Sequence, residues 1–282
     1  MVIVAAVADV HIGSTVSLCP PRAQRDDADE YRASKAQRWL WQCWNAYWDQ
    51  IEAWKQEFEA TVDVVFNGDL FEGNHHGSTQ TWSANPADWT RAADDVMSRP
   101  IAMADRMFFI RGTEAHVGAA GSSEEMYAQS VRKEIGDRLV GDPYAKTASW
   151  TELLLDVEGV LFDFAHHGPM GRLEHTRLNS FGRIAVQVEL EALQQKWRVP
   201  DVVCQAHNHR KGDSGDTYNI RVVAMPAWQL RTHFVRRITR GKVSDIGGVA
   251  FLCSGDGHYE MRSRELLYKP KRGGQHIWTE SR

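Results

Sequence analysis

The sequence predicts an α/β fold with a layered sheet core. Apolar runs of strand length alternate with amphipathic helical stretches in the order β-α-β-α-β, and a strand-rich stretch follows them. No linker-like stretch, internal repeat or low-complexity tract interrupts this order. We therefore expect residues 1–282 to form a single domain, with a long tryptophan-rich helical insertion around residues 26–60 and a strand-rich, basic C-terminal portion.

The composition is that of an ordinary globular protein: 43% of the residues are hydrophobic, 25% are charged and the net charge is −4. This mild acidity argues against a protein that coats nucleic acid, but it allows a local basic patch. The four cysteines form no Cys-x-x-Cys pair, which favours reduced thiols and a cytoplasmic protein. The opening apolar run meets Asp9 too early for a signal peptide, and no run reaches the roughly 18 apolar residues of a membrane span.

The first strand, Val2–Ala8, precedes a polar loop and a helical stretch that extends to about residue 60. Apolar residues in this stretch recur in steps of four and three and so form one helical face: Leu40, Trp44, Tyr47, Ile51, Trp54 and Phe58. Three more tryptophans, Trp39, Trp41 and Trp48, widen that face. Core packing is the favoured interpretation, and a dimer or substrate surface is the alternative.

Two further buried strands are predicted at Val62–Phe66 and Met107–Ile110. Between them, Asn85 and Pro86 predict the start of a helix, as N-cap and first helical residue. After the second of these strands, Ser122 and Glu125 form a capping-box pattern for another helix, which Gly136 would end.

The rest of the chain is predicted to be a hairpin, a helix and further strands. The hairpin turns near Glu158-Gly159, and the helix covers about residues 178–197. A strand then leads into "AHNHR", and the stretches "NIRVVAMPAW" and "GGVAFLCSGDGHYEM" read mostly as strand.

Polar side chains follow five of the predicted strands, where each strand ends: Asp9 and His11; Asp69; Glu114 and His116; His166 and His167; His207 and His209. Strand ends in sheets of this type share one edge, which is where sites form. A single histidine in such a position is commonly structural, but five clusters are hard to explain in that way. Aspartate and histidine without cysteine favour a divalent metal such as Mn, Fe or Zn.

These motifs resemble, in their order, those of the calcineurin-like metallophosphoesterase superfamily over Val2–His209, and most closely its phage and bacterial phosphoesterases, which are related to double-strand-break-repair nucleases. The resemblance implies a layered α/β/β/α sandwich, with two central mixed sheets flanked by helices, and two divalent ions (Mn, Fe or Zn). Carried over by position, Asp9, His11 and His209 would hold the first ion. Asp69 would bridge the two ions, and His166 and His207 would hold the second, with His167 as the alternative to His166.

The third motif departs from the superfamily, which usually has Gly-Asn-His followed by an acidic residue. This chain has Gly112-Thr113-Glu114-Ala115-His116. Glu114 or Thr113 would replace the missing asparagine ligand, with Glu114 favoured, and His116 would be the proton donor. The tempting "GNHH" at residues 73–76 comes too soon after Asp69, so we assign its polar members to substrate contact: Asn74, His75 and His76.

The resemblance implies hydrolysis of a phosphoester by a metal-bridged hydroxide, with Asp69 and His116 as the catalytic residues. We favour a phosphodiesterase acting on DNA or RNA, because basic residues gather late in the chain: Arg231, Arg236, Arg237, Arg240, Lys242, Lys269, Lys271 and Arg272. Such a run can also be a solvated face. A phosphomonoesterase or protein phosphatase is the second interpretation, and a metal-binding protein without catalysis is the third. The sequence predicts neither the natural substrate, nor the metal, nor the oligomeric state.

Overall fold

The computed structural model describes residues 1–73, 80–171, 173–238 and 243–269. Within these ranges the strands are β1 (Val2–Val7), β2 (Arg22–Gln24), β3 (Glu30–Arg32), β4 (Thr61–Asn67), β5 (Arg106–Ile110), β6 (Glu152–Val157), β7 (Val160–Ala165), β8 (Val202–Gln205), β9 (Gly212–Asp213), β10 (Arg221–Ala224), β11 (Ile246–Gly247), β12 (Val249–Gly255), β13 (His258–Arg262) and β14 (Leu267–Tyr268). The α-helices are α1 (Lys35–Glu57), α2 (Pro86–Met103), α3 (Glu114–Val117), α4 (Ser122–Ile135), α5 (Phe181–Gln195) and α6 (His233–Ile238).

Two mixed sheets form the centre of the described structure. The first has the strand order β13-β12-β1-β4-β5, and the second has the order β6-β7-β8-β10-β9. Strands β1, β4 and β5 are parallel, as are β7, β8 and β10, whereas β12, β13, β6 and β9 pair antiparallel. Because the parallel strands are buried on both faces, they read in the sequence as continuous apolar runs.

Three apolar clusters separate four layers. Side chains such as Val4, Phe108 and Phe162 fill the space between the two sheets. Helices α1, α2 and α4 cover the other face of the first sheet, and α5 packs through Phe181 and Ala185 on the second. The predicted α/β/β/α sandwich with two central mixed sheets is thereby confirmed.

Helix α1 begins later than the sequence interpretation placed it. Ser34 caps it in a complete capping box with Gln37, and residues 22–32 form a two-stranded ribbon, so a helix from residue 26 is wrong. The predicted apolar face does lie against the core. Trp48 is fully buried, and Trp39 and Trp41 pack partly against the same cluster, which favours the core interpretation of these tryptophans.

The outcomes at the other predicted helix ends differ. Asn85 and Pro86 start α2 as predicted, with the Asn85 side chain accepting from the Ala87 N–H. The capping box predicted for α4 is wrong: Gly121 is the N-cap, and the Glu125 carboxylate accepts from the Ser149 and Ala148 N–H groups instead. Helix α6, which lies between the two C-terminal stretches read mostly as strand, was not predicted. No helix of the described residues is both long and apolar enough to cross a membrane.

Candidate metal centre

The predicted ligands converge at one edge of the two sheets. They follow β1, β4, β7 and β8, whose carboxyl ends meet there. His166 Nε2 lies 3.1 Å from Asp69 Oδ2. His11 Nε2 lies 3.7 Å from Asp9 Oδ1, 3.8 Å from Asp69 Oδ2 and 3.1 Å from His209 Nε2, and His209 Nε2 lies 3.3 Å from Asp9 Oδ1.

Backbone hydrogen bonds tie these strand ends to one another. The Asp9 and His11 N–H groups donate to the Gly68 and Asp69 carbonyls, each at 2.9 Å. The His207 N–H donates to Asp9 Oδ2 at 3.1 Å, which links the first sheet to the second. The ligand-bearing loops after β1, β4 and β8 are therefore linked directly to one another.

Five of these residues have a backbone conformation that favours glycine. Their φ angles are 54° (Asp9), 51° (His11), 58° (Asp69), 66° (His207) and 53° (His209). Twelve non-glycine residues in the described part of the chain have positive φ, so this one site accounts for almost half of them. Such conformations cost about 1–3 kcal/mol each and cluster at functional sites.

The histidines are oriented so that one ring nitrogen faces the centre. His166 Nδ1 donates to the Asn67 carbonyl at 2.7 Å, and His116 Nδ1 donates to the Glu72 carbonyl at 2.7 Å. His11 Nδ1 lies 3.2 Å from Glu72 Oε2. In the rings of His11 and His166 the remaining Nε2 is directed towards the carboxylates, which is how proteins orient metal-binding histidines.

Opposite charges balance in this buried cluster. Burial alone would raise the pKa of Asp9, but His209 and His11 hold it well below its ordinary value. Burial would lower the pKa of His11, but Asp9 and Glu72 raise it to about 10, and Asp69 likewise raises the pKa of His166 to about 9. The two buried carboxylates thus require positive charge beside them, which protons on histidine or a metal ion can supply.

The donor set fits metal ions. Asp9 Oδ1 is buried and accepts no hydrogen bond, although histidine nitrogens surround it. Among the described residues, four groups of three ligand atoms lie within 4.8 Å of one another: Asp9, His11 and His209; Asp9, Asp69 and His166; His11, Asp69 and His116; and His166, His167 and His207. Oxygen and imidazole nitrogen together suit Zn, Fe or Mn.

The structure brings together Asp9, His11, Asp69, His166, His207 and His209, and His116 joins them. Glu114 is not brought in: it is exposed on α3, and its Oε1 accepts from the Ala120 N–H at 3.1 Å. The predicted substrate contacts, Asn74, His75 and His76, lie outside the described residues.

Sequence reasoning missed two buried glutamates that support the site. Glu72 accepts from Gln229 Nε2 at 2.6 Å and faces His11. Glu124 accepts from the Leu70 N–H at 2.8 Å and the Gly112 N–H at 2.5 Å, so it holds the loops after β4 and β5 together. Burial and the charge of Asp69 raise the pKa of Glu124 to about 7. The position of Glu72 three residues after Asp69 was a usable signal, whereas nothing near Glu124 in the sequence points to the site.

No known protein family's sequence profile matches this chain, and no curated protein matches it in sequence. Among solved structures, it is similar to Vps29 of Chaetomium thermophilum, with 10% identity and a TM-score of 0.42 over 90% of this chain and 86% of that one. It is also similar to Vps29 of Entamoeba histolytica in complex with Zn²⁺ (7% identity, TM-score 0.40, 92% and 97% of the chains). A third is an uncharacterized protein of Streptococcus pneumoniae described as a predicted phosphoesterase (8% identity, TM-score 0.34, 88% and 81%).

Identities of 10% and less, with TM-scores below 0.5, say nothing about what this chain binds or hydrolyses. The two stacked sheets and the order of the strand-end motifs resemble those of the calcineurin-like metallophosphoesterases, apart from the third motif at Gly112. In its fold the chain is similar to that superfamily, and it carries groups of residues that could hold metal ions.

Proposed function

We propose that this protein is a phosphoesterase that depends on two divalent metal ions and hydrolyses phosphodiester bonds in nucleic acid. One observation carries the proposal: six aspartate and histidine side chains, brought from four strand ends of two sheets, converge with their ligand atoms facing one another. If these buried imidazoles and carboxylates only supported the fold, neither their number nor the convergence of their ligand atoms would be needed.

Asp9, His11 and His209 would hold the first ion, Asp69 would be shared, and His166 and His207 would hold the second. When bound, such a pair of ions supplies a hydroxide at neutral pH and stabilises charge on the phosphoryl oxygens. The described residues keep the carboxylates and imidazoles in place through the backbone bonds between the loops after β1, β4 and β8.

His116 is suited to proton transfer. Its Nδ1 is held by the Glu72 carbonyl, and its ring lies 4.5 Å from that of His11, centroid to centroid. Its Nε2 can therefore deliver a proton to a leaving oxygen at the site, a contribution worth about 10²–10⁴-fold in rate.

The position of the basic residues supports a nucleic-acid substrate. The Trp228 N–H donates to the Asp9 carbonyl at 3.0 Å, so the segment that leads into α6 starts at the metal centre. Arg231 is partly exposed in that segment, and Arg236 and Arg237 are exposed on α6. Cations beside a phosphodiesterase site would track the phosphates of a strand. Lys269 is also exposed, whereas Arg240, Lys242, Lys271 and Arg272 lie outside the described residues.

The first experiment measures metal content and hydrolysis together. We expect two ions per chain after reconstitution with Mn²⁺ or Zn²⁺, and faster hydrolysis of a bis-aryl than of a mono-aryl phosphate. Asp69→Asn should lower activity by more than about 100-fold, because the shared ligand loses its charge, and it should keep the wild-type circular dichroism spectrum. The control is His258→Ala, because His258 is an exposed histidine at the start of β13.

The second experiment addresses the substrate. Cleavage of labelled single- and double-stranded oligonucleotides should weaken steeply with salt, and Arg236→Ala with Arg237→Ala should flatten that dependence. Preference for the mono-aryl phosphate would favour the phosphomonoesterase interpretation instead. Two bound ions without turnover of either ester would contradict catalysis and favour a metal-binding protein.

A further inference from the structure

The hydroxyl of Thr113 lies where four potential metal ligands converge. Its Oγ1 is 3.2 Å from Asp69 Oδ2, 3.4 Å from His166 Nε2, 3.1 Å from His167 Nε2 and 3.0 Å from His207 Nδ1. The Thr113 N–H also donates to Asp69 Oδ1 at 2.7 Å, which fixes the residue against the carboxylate. As N-cap residue of α3, Thr113 makes no side-chain capping bond, so its hydroxyl contacts these four side chains and not the helix backbone.

The Thr113 hydroxyl has more polar neighbours than it can bond. A threonine hydroxyl donates one proton and accepts through two lone pairs, so it makes at most three hydrogen bonds. Asp69 Oδ2 and three imidazole nitrogens lie within 3.4 Å of Oγ1, and at least one of these four contacts is therefore not a hydrogen bond. A cation bound among these atoms would account for their close approach.

The distances are those between ligands of one ion. Two ligands bound about 2.1 Å from a metal are roughly 3.0–3.4 Å apart when they subtend an angle of about 90–110°. The four contacts of Thr113 Oγ1 span 3.0 to 3.4 Å. His167 belongs to the same set, since its ligand nitrogen lies within 4.8 Å of those of His166 and His207.

We propose that Thr113 Oγ1 and His167 Nε2 are ligands of the second ion, together with Asp69, His166 and His207. This assignment rests on the proposed dinuclear function and adds two ligands to it. It also accounts for Glu114, whose carboxylate is engaged by the Ala120 N–H and is not needed at the metal. Three imidazoles beside two oxygens form a site suited to Zn, Fe or Co more than to Mg.

The test removes one ligand atom without changing the shape of the side chain. Thr113→Val replaces the hydroxyl by a methyl group, and Thr90→Val, on the exposed surface of α2, is the matched control. Calorimetric titration of metal-free protein with Zn²⁺ or Co²⁺ should give two ions for the wild type. In Thr113→Val the second ion should bind at least about tenfold more weakly while the first is unaffected, and Thr113→Ser should restore the second.

His167 is tested in the same way. His167→Ala should weaken the second ion by a similar factor, and it should change the visible spectrum of Co²⁺ only at the second equivalent. His258→Ala is the control for a histidine removed elsewhere. Because His167 is exposed, this variant carries the test if Thr113→Val fails to fold.

The outcomes separate this proposal from the function on which it rests. A wild type that binds fewer than two ions overturns both. A wild type that binds two ions, with unchanged second-ion affinity in Thr113→Val and His167→Ala, overturns the ligand assignment and leaves the dinuclear function in place.

Discussion

Gly68 shows how closely the metal centre is packed at the level of single residues. Its φ is +83°, and a Cβ at this position would lie 2.3 Å from His166 Nδ1 and 2.8 Å from the Gly112 Cα. The same ring nitrogen donates to the Asn67 carbonyl. No other residue type therefore fits between the loop after β4 and the histidine that follows β7.

Gly68→Ala should displace His166, and so it should weaken metal binding by more than about tenfold and destabilise the fold. The matched control is Gly136→Ala, where φ is +61° but nothing lies within 4 Å of the added Cβ. Both variants place a Cβ on backbone with positive φ, where a side chain is strained, and only Gly68→Ala adds the clash. Urea unfolding and metal titration of the two variants check this. Equal stability and equal affinity would contradict the packing described here.

Strand β7 illustrates an electrostatic cost at the level of an element. Asp163 lies on the outer face of the second sheet, and burial, with the charges of Glu152 on β6 and Glu191 on α5, raises its pKa to about 6. Since the folded-state pKa exceeds the ordinary value, the fold favours the protonated form. The resulting loss in the free energy of unfolding is absent below about pH 4. It develops as the pH rises from about 4 to about 6, and it is complete above about pH 6.

Asp163→Asn should accordingly raise the free energy of unfolding by about 1–2 kcal/mol at pH 8, after allowance for the part of the side chain that meets solvent, and leave it unchanged near pH 4. Chemical denaturation at the two pH values measures the difference. Asp156→Asn is the contrasting variant. Asp156 forms an ion pair with Arg198, so this substitution should lower the free energy of unfolding. An equal gain for Asp163→Asn at both pH values would show that charge is not the cause.

Most elements could be predicted from local pattern, and the failures have local reasons. The structure confirms the strand predicted from the apolar run of β1 and the helix start predicted from Asn85 and Pro86. The capping box predicted from Ser122 and Glu125 is wrong because the Glu125 carboxylate accepts hydrogen bonds from the backbone N–H and the hydroxyl of Ser149 instead. The start of α1 was readable from Ser34 and Gln37, a capping box that the sequence interpretation overlooked.

The metal centre was predictable only where polar residues interrupt apolar strands, as at Asp9 and His11. Thr113 was named in the sequence only as the alternative to Glu114, and its placement against Asp69 depends on tertiary structure. Glu124 lies on α4 and stands in no metal-binding pattern. Glu114 was the favoured replacement ligand because it is a carboxylate, yet the short helix α3 directs it towards Ala120.

At the scale of the whole molecule, the metal centre joins the two sheets, so metal binding should stabilise the entire fold. Asp9 receives a hydrogen bond from His207 of the second sheet and donates its own N–H to Gly68 of the first. Ligands that bind only the native state stabilise it by mass action, by roughly 2.7 kcal/mol at a concentration of about one hundred times the dissociation constant.

Removing metal with a chelator should therefore lower the melting temperature of the wild type. Asp9→Asn should narrow the difference between the metal-bound and metal-free melting temperatures, because it weakens metal binding. Thermal melts of both proteins with and without Mn²⁺ or Zn²⁺ measure this. A wild-type melting temperature that does not respond to saturating metal would leave Asp9 and His11 without the partner proposed for them.

The positive φ angles of Asp9, His11, Asp69, His207 and His209 have an evolutionary consequence. Even at the lower limit of about 1 kcal/mol each, they cost roughly 5 kcal/mol, comparable to the whole stability margin of a small domain. Glycine or asparagine would relieve that strain at every one of these positions. A lineage that no longer used the metal centre would gain robustness from each such replacement, and mutational drift would find them one at a time. This chain carries none of the five replacements, so the strain is present at all five of these proposed metal ligands.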